Sequence, residues 1–508
     1  MVPILASILA LSVPVLVISI PMSSRDDKLR HTIVTNPSPA FISAHGSNYY
    51  GTYGSAESST PIYIVSQSES GRLKDNFGGV SVSYDEGQRL FWIGQAGLAE
   101  DFDEGKSPMK FAENVNEILD LSGSALSALW SSTYLAGQDH QIQAAFGNPT
   151  PRDEAVGLIH LDPKEFAVVQ VGKKVIPYLD VLLPRGLVAV ALPENPLPLM
   201  ANKVNDERIE FLRNATKHVK HDSKIDKIVS SLTISEFKSA VQYLTGENSS
   251  SPITSRHSFS DGAKLAAKWI ASEVEETGAS CSTHDFLPGF APNVLCEYPV
   301  HGGKKPKNGQ IILSGHYDSR GTFGSLRMPG ADDDASGTSQ LIGIAKAIKR
   351  AGIKSFEEKV TFAFFAGEEQ GLLGSAALAK QLYMQNATIL LQVQADMLAY
   401  HDPDEPLQLG FPDSIGLPEA AELLTKISGI YSPELVVGVT KACCSDHQSF
   451  VEYGFPATQV FERNGPIIDP TYHNSGDLSE RVGYDFNQLR SIAKVTFATL
   501  LEIGGYVV

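Results

Sequence analysis

A chain of 508 residues is more than one ordinary hydrophobic core organises, so two or more folded units are expected. Hydrophobic residues make up 42% and charged residues 19%, a globular mix without the signature of disorder. The formal net charge of −17 argues against a nucleic-acid binder, which needs a basic face, and otherwise serves solubility.

In chain order, the first residues read MVPILASILALSVPVLVISIPMSS, with no charged side chain before Arg25. Residues 1–23 read as a secretory signal peptide without the usual basic start. The run is also long enough for an uncleaved anchor, and no later segment reads as a membrane span. Sequons at Asn214, Asn248 and Asn386 are glycosylation candidates and fit a secreted, extracellular chain.

Residues 24–224 read as a β-rich N-terminal region. The stretches TPIYIVSQ, GVSVSY, RLFWIG and AVGLIHL alternate with turn residues. A helical patch over 110–130 interrupts them. LVAVALPENPLPLM then runs into prolines and marks a boundary. The polar stretch 201–227 allows a helix but reads mainly as linker or surface, with His221 on the outside.

From 225 to 508 the pattern changes. DGAKLAAKWIASEVEETGA has helical apolar spacing and a glycine stop. QIILSGHYDS, VTFAFFAGEE and TILLQVQADM read as strands. Between them ASGTSQLIGIAKAIKRAG, with Leu341, Ile344, Ala345 and Ile348 on one face, and LLGSAALAKQLYMQ read as helices. DFNQLRSIAKVTFATLLEIGG closes the chain as another. Strands alternating with helices predict an α/β unit: a mixed, largely parallel sheet sandwiched by helices. Cys281 and Cys296 lie in two short strand-like stretches and are candidates for a disulfide. The adjacent Cys443 and Cys444 leave two readings open, a vicinal disulfide or two buried thiols.

Sites in open α/β sheets form beyond the carboxyl ends of strands. Three strands end there in polar clusters: GHYD with His316 and Asp318, GEE with Glu368 and Glu369, and QADM with Asp396. PGADDDASG, carrying Asp332, Asp333 and Asp334, leads into a helix, and His473 follows in a later loop. Each has an ordinary alternative: a satisfied histidine, acids capping a helix, a solvated glutamate pair. Gathered at one sheet edge beside imidazoles, the acids call for bound cations, and imidazole with carboxylate suits zinc. One carboxylate bridging two ions would leave a glutamate for proton transfer. No HExxH, Walker loop or GxSxG is found, so metal-helix, nucleotide-driven and serine-hydrolase mechanisms have no motif behind them.

SGHYDS, PGADDDASG, FAFFAGEEQGLLGS, QADM, CSDHQSF and YHNSGD occur in the order that resembles the secreted di-zinc aminopeptidases, the aminopeptidase Y and leucyl aminopeptidase type of metallopeptidase. The resemblance covers roughly residues 225–508 and implies the zinc exopeptidase fold and two zinc ions per chain. His316, Asp333 and Asp396 would hold one; Asp333, Glu369 and His473 the other. Glu368 would be the general base and Tyr472 would help stabilise the oxyanion. Asp318 would orient His316, with Asp334 as a further supporting group. The implied substrates are peptides or proteins with a free N-terminus, trimmed of N-terminal, apolar residues.

Two alternatives stay open. A carboxypeptidase or another amide hydrolase on this fold would need a cation for the substrate carboxylate, which no motif places; glutaminyl cyclases on this fold use one zinc, against the complete second set here. A receptor or scaffold would normally have lost ligand residues, and none is missing. His447 and the start of CSDHQSF read as structural, with Ser445 or Asp446 as helix cap. Met397 reads equally as pocket wall or core. The N-terminal region resembles nothing named; it reads as an inhibitory propeptide, a folding aid or a gate. Oligomeric state is not legible.

Overall fold

The computed structural model describes residues 29–56, 59–66, 80–84, 88–99, 111, 115, 156–162, 166–198, 203–322 and 325–508. The leader-like stretch and most of the helical patch over 110–130 lie outside these residues.

The N-terminal region is β-rich, as its alternation predicts. Strands β1 (Leu29–Val34), β2 (Tyr49–Tyr53), β3 (Thr60–Ser66) and β4 (Val80–Tyr84) form an antiparallel sheet in the order β2-β3-β1-β4, with helix α1 (Pro39–His45) between the first two. A second antiparallel sheet, β6-β7-β5-β8, joins β5 (Arg89–Gln95), β6 (Val156–Asp162), β7 (Phe166–Val171) and β8 (Leu187–Ala191). A single turn of helix, α2 (Leu179–Leu182), precedes β8.

Strand β5 shows why the second sheet is a middle layer. Successive side chains point to opposite faces. Leu90 and Trp92 pack with Ile33, Ile62 and Ile64 of the first sheet. Phe91 and Ile93 pack with Phe259, Phe290, Met328 and Leu373 from further along the chain. Burying side chains of this size contributes about 1.5–3 kcal/mol each, so the two regions are joined by a shared core rather than by loose surface contact.

The C-terminal region carries the expected helices and strands. Helices α3 (Asp206–His218), α4 (Ser223–Val229), α5 (Ile234–Leu244) and α6 (Asp261–Glu275) come first. They lead into β9 (Ser280–His284), β10 (Asn293–Tyr298), β11 (Gln310–His316), α7 (Ala335–Arg350), β12 (Ser355–Phe356), β13 (Lys359–Phe365), α8 (Leu373–Met384) and β14 (Ile389–Ala395). The chain continues through β15 (Gln408–Pro412), α9 (Pro418–Tyr431), β16 (Val436–Thr440), α10 (His447–Glu452), β17 (Ala457–Val460), α11 (Phe486–Gly504) and β18 (Tyr506–Val507).

Six strands form the main sheet in the order β17-β14-β11-β13-β10-β9. The first four are mutually parallel, and β10 pairs antiparallel with β13 on one side and β9 on the other. Both faces are covered, and β11 shows how: Ile311 and Leu313 join the larger core with α7 and α11, while Ile312 joins Leu378, Leu382 and Phe450 on the other face. Such doubly covered strands read as continuous apolar runs. From β11 the chain goes to β13 on one side and then to β14 on the other, so the strand order switches at β11. The switch point of such a sheet opens a crevice at the carboxyl ends.

Three readings are refined here. The stretch 201–227 is more than linker: α3 and α4 bury Leu212, Val219, Ile225 and Val229 in the C-terminal core. Asp446 stands at the cap position of α10, yet its side chain makes no cap bond; it turns inward to accept from Gln394 (3.1 Å). Cys281 and Cys296 face each other across β9 and β10 and are bonded. Cys443 and Cys444 are bonded to each other. Asn214 and Asn386 are exposed and Asn248 is half-buried. Among the described residues no helix is long and apolar enough to cross a membrane.

Candidate metal centre

Strand β11 delivers His316 to the crevice, fully buried. Its Nε2 lies 3.2 Å from Asp333 Oδ1 and 3.7 Å from Asp396 Oδ1, and its Nδ1 lies 3.4 Å from Asp318 Oδ1. The other oxygen of Asp318 accepts from the backbone N–H of Glu369 (3.3 Å), tying the end of β11 to the turn after β13. Asp333 Oδ2 lies 3.3 Å from His473 Nε2, which is also 3.4 Å from Glu369 Oε2. Asp333 therefore turns one oxygen to each imidazole.

The three consecutive aspartates do different things. Asp334 caps α7: Oδ1 accepts from the N–H groups of Gly337 (2.8 Å) and Met397 (3.3 Å), and Oδ2 from that of His316 (3.1 Å). It thereby fastens the ends of β11 and β14 to the start of α7. Asp332 accepts from the N–H of Ala399 (2.8 Å). The N–H groups of Asp332 and Asp333 both donate to Asp477. Arg481 binds Asp477 and Asp469 together, and Asp469 shapes the turn into Tyr472 and His473 by accepting from the N–H of Thr471 (2.7 Å). Buried Arg256 donates to the carbonyls of Tyr317 (2.7 Å) and Gly330 (2.8 Å), on either side of the same loop. The acids are thus held from behind by backbone contacts.

Among the described residues, two groups of side chains could hold a metal ion: His316 with Asp334 and Asp396, and Asp333 with Glu369 and His473. The capping bonds of Asp334 favour Asp333 as the carboxylate that serves both. Among the described residues, Nε2 of His316 and Oε1 of Glu369 are buried without a hydrogen-bond partner. Groups left this way are costly, and cations would satisfy them.

Charge follows the same geometry. Burial, with Glu369 and Asp396 close by, lifts the Glu368 carboxyl well above the usual range against the pull of His316. Burial would also raise Asp333, but the His316 and His473 imidazoles override it and hold that carboxyl below its ordinary value. Burial and the Arg320 guanidinium push His473 down to about 4, so the ring is neutral at neutral pH, the form that binds metals.

The cleft above these groups is small, about 30 Å³. Glu368, Met397, Phe461, Ile467, Tyr472 and the Cys443–Cys444 pair line it. Tyr472 stacks on His473 (3.7 Å between ring centroids), and burial keeps its phenol protonated. Met397 is both pocket wall and part of a small core cluster. His447 stands outside both metal groups and lies 2.8 Å, by Nε2, from the Ile415 carbonyl.

Two features of the cleft had no signal in the sequence. Val188 and Ala189 of β8 form part of its wall, so the N-terminal region covers the centre. Arg320, two residues beyond Asp318, also lines it and is 4% exposed. Its Nη1 lies 2.7 Å from His473 Nδ1. Guanidinium only donates, so Nδ1 accepts in this arrangement and the ring proton sits on Nε2, toward Asp333 and Glu369; a metal taking Nε2 would displace that proton.

Residues 293–499 match the model of Peptidase family M28. The chain is 30% identical over 261 residues to leucine aminopeptidase 1 of Phaeosphaeria nodorum, covering 48% of this chain and 64% of that protein. It is 27% identical over 305 residues to a probable leucine aminopeptidase of Arthroderma otae, covering 57% of this chain and 78% of that one. The fold is shared with the Legionella pneumophila LapA aminopeptidase, at a TM-score of 0.54 and 18% identity over 73% of this chain and 96% of that one. The chain therefore spans just under two thirds of the first of these relatives. Every acid and imidazole of the cluster lies inside the stretch, residues 293–499, that matches the Peptidase family M28 model.

Proposed function

We propose that the M28-matching region is a zinc-dependent aminopeptidase that removes N-terminal, apolar residues from peptides. The observation that carries this reading is Asp333, set with one oxygen toward each of two buried imidazoles. The names of the relatives, leucine aminopeptidases, support the direction of cleavage. His316, Asp333 and Asp396 would hold one zinc, and Asp333, Glu369 and His473 the other, a donor set that suits this ion. Bound zinc would acidify a water and polarise the scissile carbonyl.

The chain's own residues do the rest. Glu368 is the group that takes a proton from the attacking water and passes it to the leaving amine. Its neighbour Glu369 faces His473 instead. Asp318 fixes the His316 ring, as carboxylates behind a ligating histidine do. The Tyr472 phenol donates to the developing oxyanion. The surrounding carboxylates favour a free α-amine on the substrate over an acylated one. The apolar side of the cleft, Met397, Phe461 and Ile467, suits an apolar first side chain.

The N-terminal region would act as a cover. The cleft is small, about 30 Å³, and Val188 and Ala189 form part of its wall, so entry of a substrate side chain would need the cover to yield. The sequence start and the sequons support a secreted, glycosylated protein made in masked form.

Leucyl p-nitroanilide and its N-acetyl derivative test the reading. With the cover released by cleavage between Pro198 and Asp206, hydrolysis of the first alone, lost in a chelator, restored by zinc and absent in Glu368→Ala, is expected. Equal hydrolysis of both substrates would contradict an aminopeptidase.

A further inference from the structure

The cover meets the M28-matching region at several places, among them Gly97–Ala99 against Ile467 and Thr52–Ala56 against Asp413, Ser414 and Gln448; residues 176–191 are the segment that reaches the metal centre. Tyr178 stacks on His257 (5.9 Å between centroids), and Nε2 of His257 lies 3.3 Å from Asp180 Oδ1. Arg185 donates to the carbonyl of Asp469 (2.7 Å), and the N–H of Ala191 to that of Gly371 (3.1 Å). In the middle, residues 184–187 form a tight turn closed by the N–H of Leu187 on the Pro184 carbonyl (2.9 Å).

That turn aims backbone carbonyls at a single side chain. Nη2 of Arg320 donates to the carbonyl of Leu183 (2.5 Å) and Nη1 to that of Leu187 (3.3 Å). A desolvated guanidinium needs acceptors, and Arg320 takes them from the cover. Nη1 also meets His473, so one residue touches the cover and the metal centre at once. Val188 and Ala189, the next residues after the turn, are the ones that enter the cleft. Strand β5 holds these residues from behind, pairing Gly94 with Val188 and Ile93 with Ala189, with the Ala96 N–H on the Gly186 carbonyl (3.0 Å); Arg320 holds the turn from the side of the metal centre.

We infer that Arg320 is a positioning residue that latches the N-terminal region over the metal centre by binding the carbonyls of the turn 183–187. The apolar core between the two regions supplies most of the contact, and Arg320 fixes where the turn sits in the cleft. What is shut rests on the peptidase reading; the latch itself is a structural statement that needs no substrate to read.

Amide hydrogen exchange of the full-length, zinc-supplied protein tests it. Arg320→Ala is expected to speed exchange of amides 187–191 by about tenfold or more, the loss of charge-assisted bonds. Amides of Gln310–His316 should keep their protection and report an intact sheet. Arg320→Lys should recover part of the protection, because lysine keeps the charge and loses the fork. Unchanged exchange at 187–191 in Arg320→Ala would overturn the latch. If Arg320→Ala also loosens Gln310–His316, Arg320→Lys decides: faster exchange confined to 187–191 supports the latch and wild-type rates overturn it. Peptide hydrolysis with unchanged exchange would remove the latch alone. Faster exchange without hydrolysis in any form would keep the latch and remove the peptidase reading.

Discussion

Burial raises the carboxyl of Glu368 and leaves its neighbour facing an imidazole, so two adjacent glutamates do separate work. Glu368→Gln keeps the shape and removes the proposed base; kcat should fall by about 10²–10⁴ while metal content, measured on the same sample, stays at the wild-type level. His447 makes a second prediction. Burial pushes its pKa down to about 4, against the Ile415 carbonyl, so the fold holds it neutral while the unfolded chain protonates it. A depressed pKa contributes stability above about pH 6.5 that is lost as pH falls toward 4. Relative to wild type, His447→Gln should gain about 3 kcal/mol of stability between pH 7 and pH 4, read from urea unfolding at each pH. At this scale the residue types of the site were legible and their directions were not. Three aspartates in a row do not say which one caps a helix; only the bonds of Asp334 to three chain segments do.

Elements set those directions. The start of α7 lies so close to β14 that a Cβ on Gly337 would sit 2.3 Å from the Ala395 carbonyl oxygen. Gly337→Ala must push helix and strand apart, which misplaces Asp333 and Asp396 together. A shift of this kind should cost about 1–3 kcal/mol of stability and about 10² in rate, checked by thermal unfolding and by kcat/KM. At the other edge, the Cys281–Cys296 bond closes a loop with a sequence separation of 15, a constraint of about 3 kcal/mol in the chain-entropy view. Replacing both by serine should lower the urea midpoint and leave kcat as it is, because β9 is the strand farthest from the crevice on that side. Strands and helices were readable because their apolar periods differ. The burial of α3 was not: its long polar stretch hides the few apolar positions, Leu212 above all, that dock on the core.

The whole molecule is a layered assembly in which the second β-sheet presses on the carboxyl edge of the six-stranded sheet. No local pattern announces that contact. The acceptors of Arg320 are backbone carbonyls more than a hundred residues away, and a carbonyl has no signature in the sequence. If the cover masks the centre, a protease site built between Pro198 and Asp206 should give a nicked chain that hydrolyses leucyl p-nitroanilide faster than the uncut one; equal rates would remove the masking role. The most direct measurement is zinc titration of that nicked chain in metal-free form, with hydrolysis followed in the same samples. Activity should rise from none and level off at two zinc ions per chain, with Glu368→Gln binding the same zinc and staying silent. Hydrolysis by the metal-free chain, or a chain that binds no zinc, would contradict a two-metal aminopeptidase.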